Sequence, residues 1–137
     1  MKVREAMAKT VTSAKKTDKV GDVAKQMKSE DAGFIPVVDG ELLIGVITDR
    51  DIVINCIAEG HDPRGETAEH LMSKQVTTIG PDEDIEEAGR TMARKEIRRL
   101  PVVENGRLVG VLSHGNLVQA TKNKIAEMAT EGVTRGA

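Results

Sequence analysis

The sequence has almost no aromatic residues and one cysteine. It contains no Trp and no Tyr among its 137 residues, and Phe34 is its single Phe. A planar ligand therefore cannot be held between aromatic rings, and any pocket must be built from aliphatic side chains and backbone groups. The lone Cys56 excludes an intramolecular disulfide and a metal site made of several cysteines.

An excess of one charge is also missing. Lys and Arg number 20 against 22 Asp and Glu, so the net charge is −2. This balance gives no electrostatic reason to expect nucleic acid or a membrane as a partner. The start of the chain, Met1–Glu5, lacks the apolar core of a signal peptide, and no stretch approaches the ~18 apolar residues of a membrane span. We expect a cytoplasmic protein of about one domain.

What the sequence does have is an internal repeat. The stretch Gly45–Ile52 recurs as Gly110–Leu117, 65 residues later, and each copy is an apolar strand followed by polar residues that begin a helix. The same offset relates other pairs: Met7 and Met72, Val11 and Val76, Thr12 and Thr77, Pro36 and Pro101. A register this long without a gap indicates a duplicated supersecondary unit.

Each copy has the pattern of a β-α-β-β-α unit. Apolar residues three and four apart from Val20 to Met27 predict a helix, which Gly33 is expected to terminate. Asp39-Gly40 predicts a hairpin turn between two strands, and Thr48 begins a helix through about Ala58. The fold class is therefore α+β, with two β-α-β-β-α repeats related by a pseudo-two-fold axis. The predicted boundaries are 1–58 for the first repeat, 59–66 for a connector, 67–130 for the second repeat with its C-terminal helix, and 131–137 for a frayed tail.

Polar residues at the two strand-to-helix junctions are the candidate site. Thr48 and Asp51 form a Thr-x-x-Asp pattern, which is typical of a helix cap. An Asp in the first helical turn can also accept hydrogen bonds from both hydroxyls of a ribose. In the second copy Ser113 keeps the hydroxyl, but Asn116 replaces the Asp and lacks the charge that strengthens such bonds.

The motifs as a set resemble the CBS domain, named after cystathionine β-synthase, in its tandem-pair form. They stand at residues 7–12, 34–39 and 45–52, and again at 72–77, 99–103 and 110–113. The resemblance covers residues 3–120 and is closest to small bacterial proteins made of one CBS pair. It implies a regulatory module that binds adenosine-containing ligands (AMP, ADP, ATP or NAD) in the cleft between the repeats, with an effector protein that the sequence does not name.

The resemblance also implies a role for each residue of the site. Thr48 and Asp51, with Ser113 and Asn116, correspond to ribose-binding positions. Arg98 and Arg99 correspond to positions that meet phosphate, although the residues alone favour a solvated basic patch where a helix meets a strand. The remaining expected contacts, all compatible with plain core packing, are with adenine or beside it: Val11, Thr12, Ile35, Pro36, Val76, Thr77, Leu100 and Pro101.

Family members usually form homodimers through their helices. In this chain the helices after Thr48 and Ser113 carry more apolar residues than one small core needs: Ile52, Val53, Ile54, Ile57, Leu117 and Val118. An alternative interpretation is a ligand-independent structural or protein-interaction dimer. An enzyme is not expected, because the sequence shows no nucleophile–base pair, no Walker-type loop and no metal-ligand spacing.

Overall fold

The structure is a computed structural model that describes the backbone of residues 1–136 and the side chains of residues 1–132. Six α-helices, one π-helix and five strands are present in this part of the chain. The elements of the N-terminal part are α1 Val3–Ala6, β1 Ala14–Lys15, α2 Val20–Glu30, β2 Phe34–Asp39, β3 Leu42–Thr48, α3 Asp49–Asp51 and the π-helix Ile52–Ile57. They are followed by α4 Ala68–Leu71, α5 Ile85–Lys95, β4 Arg99–Glu104, β5 Arg107–Ser113 and α6 His114–Gly136. The mixed α+β class predicted from the sequence is confirmed.

The strands follow the order β1-β2-β3-β5-β4. β2 and β3 form an antiparallel hairpin in which Phe34 pairs with Thr48, and the predicted turn has Gly40 at φ 64°. β1 pairs with β2 in parallel, with Ala14 opposite Val37. The repeat offset is visible in this register, because Ile79 forms the equivalent parallel bridge with Val102.

The end of α2 differs from the prediction. The helix terminates at Asp31, which has the left-handed conformation (φ 50°, ψ 47°), and not at Gly33. Glu96 caps α5 in the same way, with φ 55° and ψ 44°. A left-handed residue at this position satisfies the last carbonyls of a helix, and Asp adopts it more easily than most residues. Gly33 therefore does not end the helix, and its close contact is with the side chain of Asp49.

The helical segment after Thr48 is unusual. It has one α-helical turn, α3, and then becomes the π-helix, in which the N–H of Ala58 donates to the carbonyl of Val53, five residues earlier, over 2.9 Å. Single-turn π segments are rare and are frequently found at functional sites. The corresponding α6 is α-helical from His114 to Gly136. The fraying predicted for 131–137 stays a prediction, and Ala137 lies outside the described residues.

None of the helices described is long and apolar enough to cross a membrane.

The chain divides into two compact units. The first unit consists of Thr10–Thr77 with Val103–Leu108, and the second of Met1–Lys9, Thr78–Val102 and the chain from Val109 onward. The core of the first unit is formed by α2, β2, β3, the π-helix and α4, with Val23, Ile35, Ile47 and Cys56 fully or almost fully buried. The core of the second unit buries another set: Val3, Ala88, Leu100, Val102 and Leu112.

Each unit contains the first residues of the other sequence repeat, an arrangement called here the exchange of leading segments. Met1–Lys9, which begin the first repeat, lie in the second unit, and residues 67–77, which begin the second repeat, lie in the first unit. In the second unit Ala8 bridges to Val111, and a Cβ added at Gly110 would lie 2.6 Å from the sulfur of Met7. In the first unit Ser73 bridges to Val46, and a Cβ at Gly45 would lie 2.6 Å from the sulfur of Met72. Glycine at both positions therefore makes room for the methionine that comes from the other sequence repeat. The predicted repeat boundaries stay a prediction about the duplication, whereas the compact units follow these contacts.

Candidate functional site

The first candidate site lies where β3 ends in the first unit. The hydroxyl of Thr48 accepts a hydrogen bond from the N–H of Asp51 over 3.1 Å, and Oδ2 of Asp51 accepts one from the N–H of Thr48 over 2.9 Å. This reciprocal capping box confirms that the two residues cap the helix. The capping bonds use Oδ2 and leave Oδ1 of the half-buried carboxylate for a ligand, so a cap and a ligand contact are compatible here.

The second unit repeats this geometry with different chemistry. Ser113 accepts a hydrogen bond from the N–H of Asn116 over 3.0 Å, and Oδ1 of Asn116 accepts one from the N–H of Ser113 over 2.9 Å. The amide oxygen of Asn116 is used for capping. The part of its side chain that the cap does not use is the NH₂ group, which can only donate. The first junction thus offers an acceptor oxygen, and the second offers a donor.

The segment before each hairpin contacts its junction through the backbone. The N–H of Asp49 donates to the carbonyl of Gly33 over 3.0 Å, and the N–H of His114 donates to the carbonyl of Arg98 over 2.7 Å. A Cβ added at Gly33 would lie 2.5 Å from Oδ2 of Asp49. The carboxylate of Asp49 therefore occupies the space where the side chain of Arg98 begins in the second unit.

A cavity in the second unit brings the predicted phosphate and ribose positions together. It has a volume of about 700 Å³ and is lined by Arg98, Arg99, Ser113, His114 and Gly115. Arg98 is exposed and Arg99 is half-buried, so both guanidinium groups are accessible to a ligand. His114, which the sequence did not single out as a site residue, belongs to this lining. The signal in the sequence that could have indicated His114 is its position, 65 residues after Asp49, at the same point of the repeat.

The residues expected around adenine fall into two groups. Val11 and Thr12 are half-buried in the first unit, and Val76 and Thr77 are half-buried at the end of that unit. The other four side chains are almost fully buried in the structure: Ile35, Pro36, Leu100 and Pro101. For these four, core packing is what the structure shows, and a role as ligand contacts stays a prediction.

Gln26 is a further residue near the first site that the sequence did not indicate. Its side-chain N–H donates to the carbonyl of Ser13 over 3.3 Å, which connects α2 to the segment that carries Val11 and Thr12. The side-chain oxygen of Gln26 is buried and has no hydrogen-bond partner within the described residues. No spacing in the sequence distinguishes Gln26 from the other polar residues of α2.

Cys56 is not a reactive group in this fold. Its side chain is fully buried in the first unit, and the sulfur lies 3.6 Å from the carbonyl oxygen of His61. Burial, followed by the negative charges of Glu66 and Asp62, raises the pKa of the thiol. The thiolate is the nucleophilic form, so a raised pKa makes Cys56 less reactive.

Two histidines contact one carboxylate near Cys56. Glu66 lies 3.3 Å from Nδ1 of His61 and 2.8 Å from Nδ1 of His70. Within the part of the chain that the structure describes, no group of three or more His, Cys, Asp or Glu residues could hold a metal ion.

Comparison with known proteins connects these features to a family. The sequence model of the CBS domain matches the chain twice, at residues 3–56 and 68–123. The chain belongs to the CBS-domain family. It is a tandem CBS pair, a regulatory kind of module, and the recognition made from the sequence motifs is confirmed.

Relatives of similar length support this assignment. The chain is 33% identical over 133 residues to the CBS domain-containing protein YhcV of Bacillus subtilis, covering 96% of this chain and 94% of YhcV. The crystal structure of Hypoxic Response Protein I with two coordinated zinc ions is similar with a TM-score of 0.79 and 30% identity, covering 88% of this chain and 98% of that one.

A second solved CBS structure contains adenosine ligands. The CBS domain pair of protein MJ0100, in complex with 5′-methylthioadenosine and S-adenosyl-L-methionine, is similar with a TM-score of 0.76 and 25% identity, covering 90% of this chain and 98% of that one.

Proposed function

We propose that this CBS pair is a sensor that binds adenosine-containing ligands at its strand-to-helix junctions and passes the bound state to a partner protein. The observation that carries the proposal is the cavity of the second unit, in which Arg98 and Arg99 lie beside Ser113. The complex of MJ0100 with two adenosine compounds supports the same ligand class for this fold. The candidate ligands are AMP, ADP, ATP and NAD.

Ribose binding is proposed for both junctions. In the first unit Oδ1 of Asp51 can accept a hydrogen bond from a ribose hydroxyl while Oδ2 continues to cap the helix. A hydrogen bond to a charged group contributes about 1.5–3 kcal/mol, compared with ~1 kcal/mol for a neutral one. In the second unit Asn116 can donate to a hydroxyl oxygen through its NH₂ group, and the bond is neutral.

Phosphate binding is proposed for the second unit alone. Arg98 and Arg99 place two permanent positive charges at the wall of the cavity. A guanidinium group presents paired N–H donors that match two phosphate oxygens. A nucleotide whose ribose lies at Ser113 would therefore extend its phosphate towards these arginines.

We also propose a homodimer formed through the helices after Thr48 and Ser113. Large apolar side chains are exposed on both: Val53 (56%), Ile54 (45%), Ile57 (54%), Val118 (40%), Ile125 (61%) and Met128 (62%). Side chains of this size in neighbouring helical turns mark an interaction surface. Two residues that the sequence analysis counted among the surplus apolar residues belong to the cores instead. Ile52 is buried in the core of the first unit, and Leu117 packs against the core of the second.

The alternative is a CBS dimer that acts without a ligand. It is favoured by one observation, the capping boxes, which give both Asp51 and Asn116 a structural task that needs no ligand. We propose no catalytic activity in either case, because the sequence shows no nucleophile–base pair, no Walker-type loop and no metal-ligand spacing. We propose the cytoplasm as the location, where adenine nucleotides are abundant.

A thermal-shift panel separates the two proposals. A ligand that binds only the folded state increases the free energy of unfolding, by about 2.7 kcal/mol at a concentration one hundred times Kd, and so raises the melting temperature. The panel contains AMP, ADP, ATP, NAD and S-adenosylmethionine, with GMP as the control for the base. A shift with at least one adenosine compound and none with GMP is expected. No shift with any compound would leave the ligand-independent dimer as the better account.

A further inference from the structure

We propose that the two CBS units sort adenosine ligands by charge, with Asp49 and Gly33 as the residues that exclude phosphate from the first unit. The second unit would take phosphorylated adenosine ligands, and the first would take adenosine ligands without phosphate. The inference rests on the proposed function, because it concerns which ligand each junction accepts.

The first step is that the two junctions have the same backbone geometry. Asp49 donates to the carbonyl of Gly33 as His114 donates to the carbonyl of Arg98. Thr48 and Ser113 each close a capping box with the residue three positions on. A ribose would therefore meet the same framework in both units, and selectivity must come from the side chains.

The second step is that the side chains differ in charge. Arg98 and Arg99 give the second junction two positive charges, and His114, Gly115 and Asn116 add no permanent charge. The equivalent positions of the first junction carry the negative Asp49 and Asp51 and the positive Arg50, which leaves one net negative charge.

The third step is that Asp49 occupies the space that a basic residue would need. A Cβ at Gly33 would lie 2.5 Å from Oδ2, 2.8 Å from Cγ and 3.0 Å from Oδ1 of Asp49. The carboxylate is held there through Oδ1, which accepts from the N–H of Arg50 over 2.8 Å. An anionic ligand group placed over Gly33 would thus meet a carboxylate at the point where the second unit provides Arg98. Gly33 is in this place to accommodate Asp49, since the helix before it already ends at Asp31.

The test is a site-resolved titration followed by ¹⁵N NMR on the full-length protein. The backbone amides of Gly33 and Asp49 report on the first unit, and those of Arg98 and His114 on the second. With AMP, we expect the second pair to shift at concentrations at least about tenfold lower than the first pair, which corresponds to ~1.4 kcal/mol. With adenosine, we expect that preference to disappear or to reverse.

A variant of Asp49 tests the cause of the sorting. Asp49→Asn keeps the oxygen that accepts from Arg50 and removes the charge, and Glu59→Gln removes an exposed charge outside the site as the matched control. We expect AMP affinity at the first unit to rise about fivefold in Asp49→Asn, as for one charge pair a few ångströms apart in water, and adenosine affinity to stay the same. Gly33→Arg combined with Asp49→His gives the first junction the residues of the second at these two positions and should raise AMP affinity further.

The outcomes separate this inference from the proposed function. If AMP and adenosine show the same ratio of affinities at both units, or Asp49→Asn behaves like Glu59→Gln, the charge sorting is wrong while adenosine binding stands. If neither compound shifts any of the four amides, both proposals are wrong. Should the double variant fail to fold, the result with Asp49→Asn alone still decides.

Discussion

The exchange of leading segments can be tested at Gly45 and Gly110, because each of these glycines lies against a methionine from the other sequence repeat. In Gly110→Ala the new Cβ would lie 2.6 Å from the sulfur of Met7 and 2.8 Å from the carbonyl oxygen of Ala8. In Gly45→Ala it would lie 2.6 Å from the sulfur of Met72 and 2.8 Å from the carbonyl oxygen of Ser73. Extra carbons in a packed region cost about 1–3 kcal/mol, and we expect the upper part of this range because a backbone carbonyl cannot rotate away.

A control glycine shows what alanine does without a contact. A Cβ at Gly132 in α6 would have no atom within 4 Å. Replacing a glycine within a helix by alanine stabilises by roughly 0.5–1 kcal/mol. We therefore expect Gly132→Ala to raise the free energy of unfolding, or leave it unchanged, while the other two substitutions lower it.

Double variants then identify which methionine lies over which glycine. Met7→Ala removes the sulfur that Gly110→Ala would meet, so the pair should be coupled by about 1 kcal/mol, whereas Met7→Ala and Gly45→Ala should be additive within ~0.5 kcal/mol. The free energies of unfolding are measured by urea denaturation followed by circular dichroism. Coupling of Met7 to Gly45 in place of Gly110 would refute the exchange.

Three further predictions concern the ligand, the dimer and the thiol. Replacing Arg98 or Arg99 by Ala should lower AMP affinity about tenfold, or ~1.4 kcal/mol, and leave adenosine affinity nearly unchanged in calorimetric titrations; parallel losses would show that the arginines support the fold instead. Ile125→Ser combined with Met128→Ser should shift the protein towards a monomer in light scattering at tens of micromolar, and Thr130→Ser, on the same helix, should not. Because burial raises the pKa of the Cys56 thiol, the thiolate fraction at neutral pH is smaller than that of a free thiol and grows only as the pH rises above the usual thiol range. A thiol reagent should therefore modify the native protein slowly at pH 7 and rapidly in urea; fast labelling of the native protein would contradict the burial.

Much of the fold could be predicted from the repeat. Apolar runs around Asp39-Gly40 indicate the strands β2 and β3, and the 65-residue offset then predicts their equivalents β4 and β5. The structure has positive φ in both turns, at Gly40, Asn105 and Gly106. The capping residues Thr48 and Asp51 were also indicated, because a cap is a local interaction that depends on spacing alone.

Other features depend on contacts between distant parts of the chain. Met7 and Met72 have the same chemistry, as do Gly45 and Gly110, so no pattern could show that each methionine lies over the glycine of the other copy. The π-helix Ile52–Ile57 could not be predicted, because its sequence is compatible with an ordinary α-helix. The position of Asp49 over Gly33 could not be predicted either, because glycine has several uses and only the close approach identifies this one.

The central claim is that the cavity beside Arg98 and Arg99 receives the phosphate of an adenosine ligand. Isothermal titration of AMP into the wild-type protein and into the variant Arg98→Gln, Arg99→Gln tests it most directly, with Lys25→Gln, Lys28→Gln as a control of equal charge on the exposed face of α2. The account predicts saturable binding that the control retains and the arginine variant loses by about a hundredfold, or ~2.7 kcal/mol for two contacts. Equal binding of AMP by the wild type and the arginine variant, or no binding by either, would contradict it.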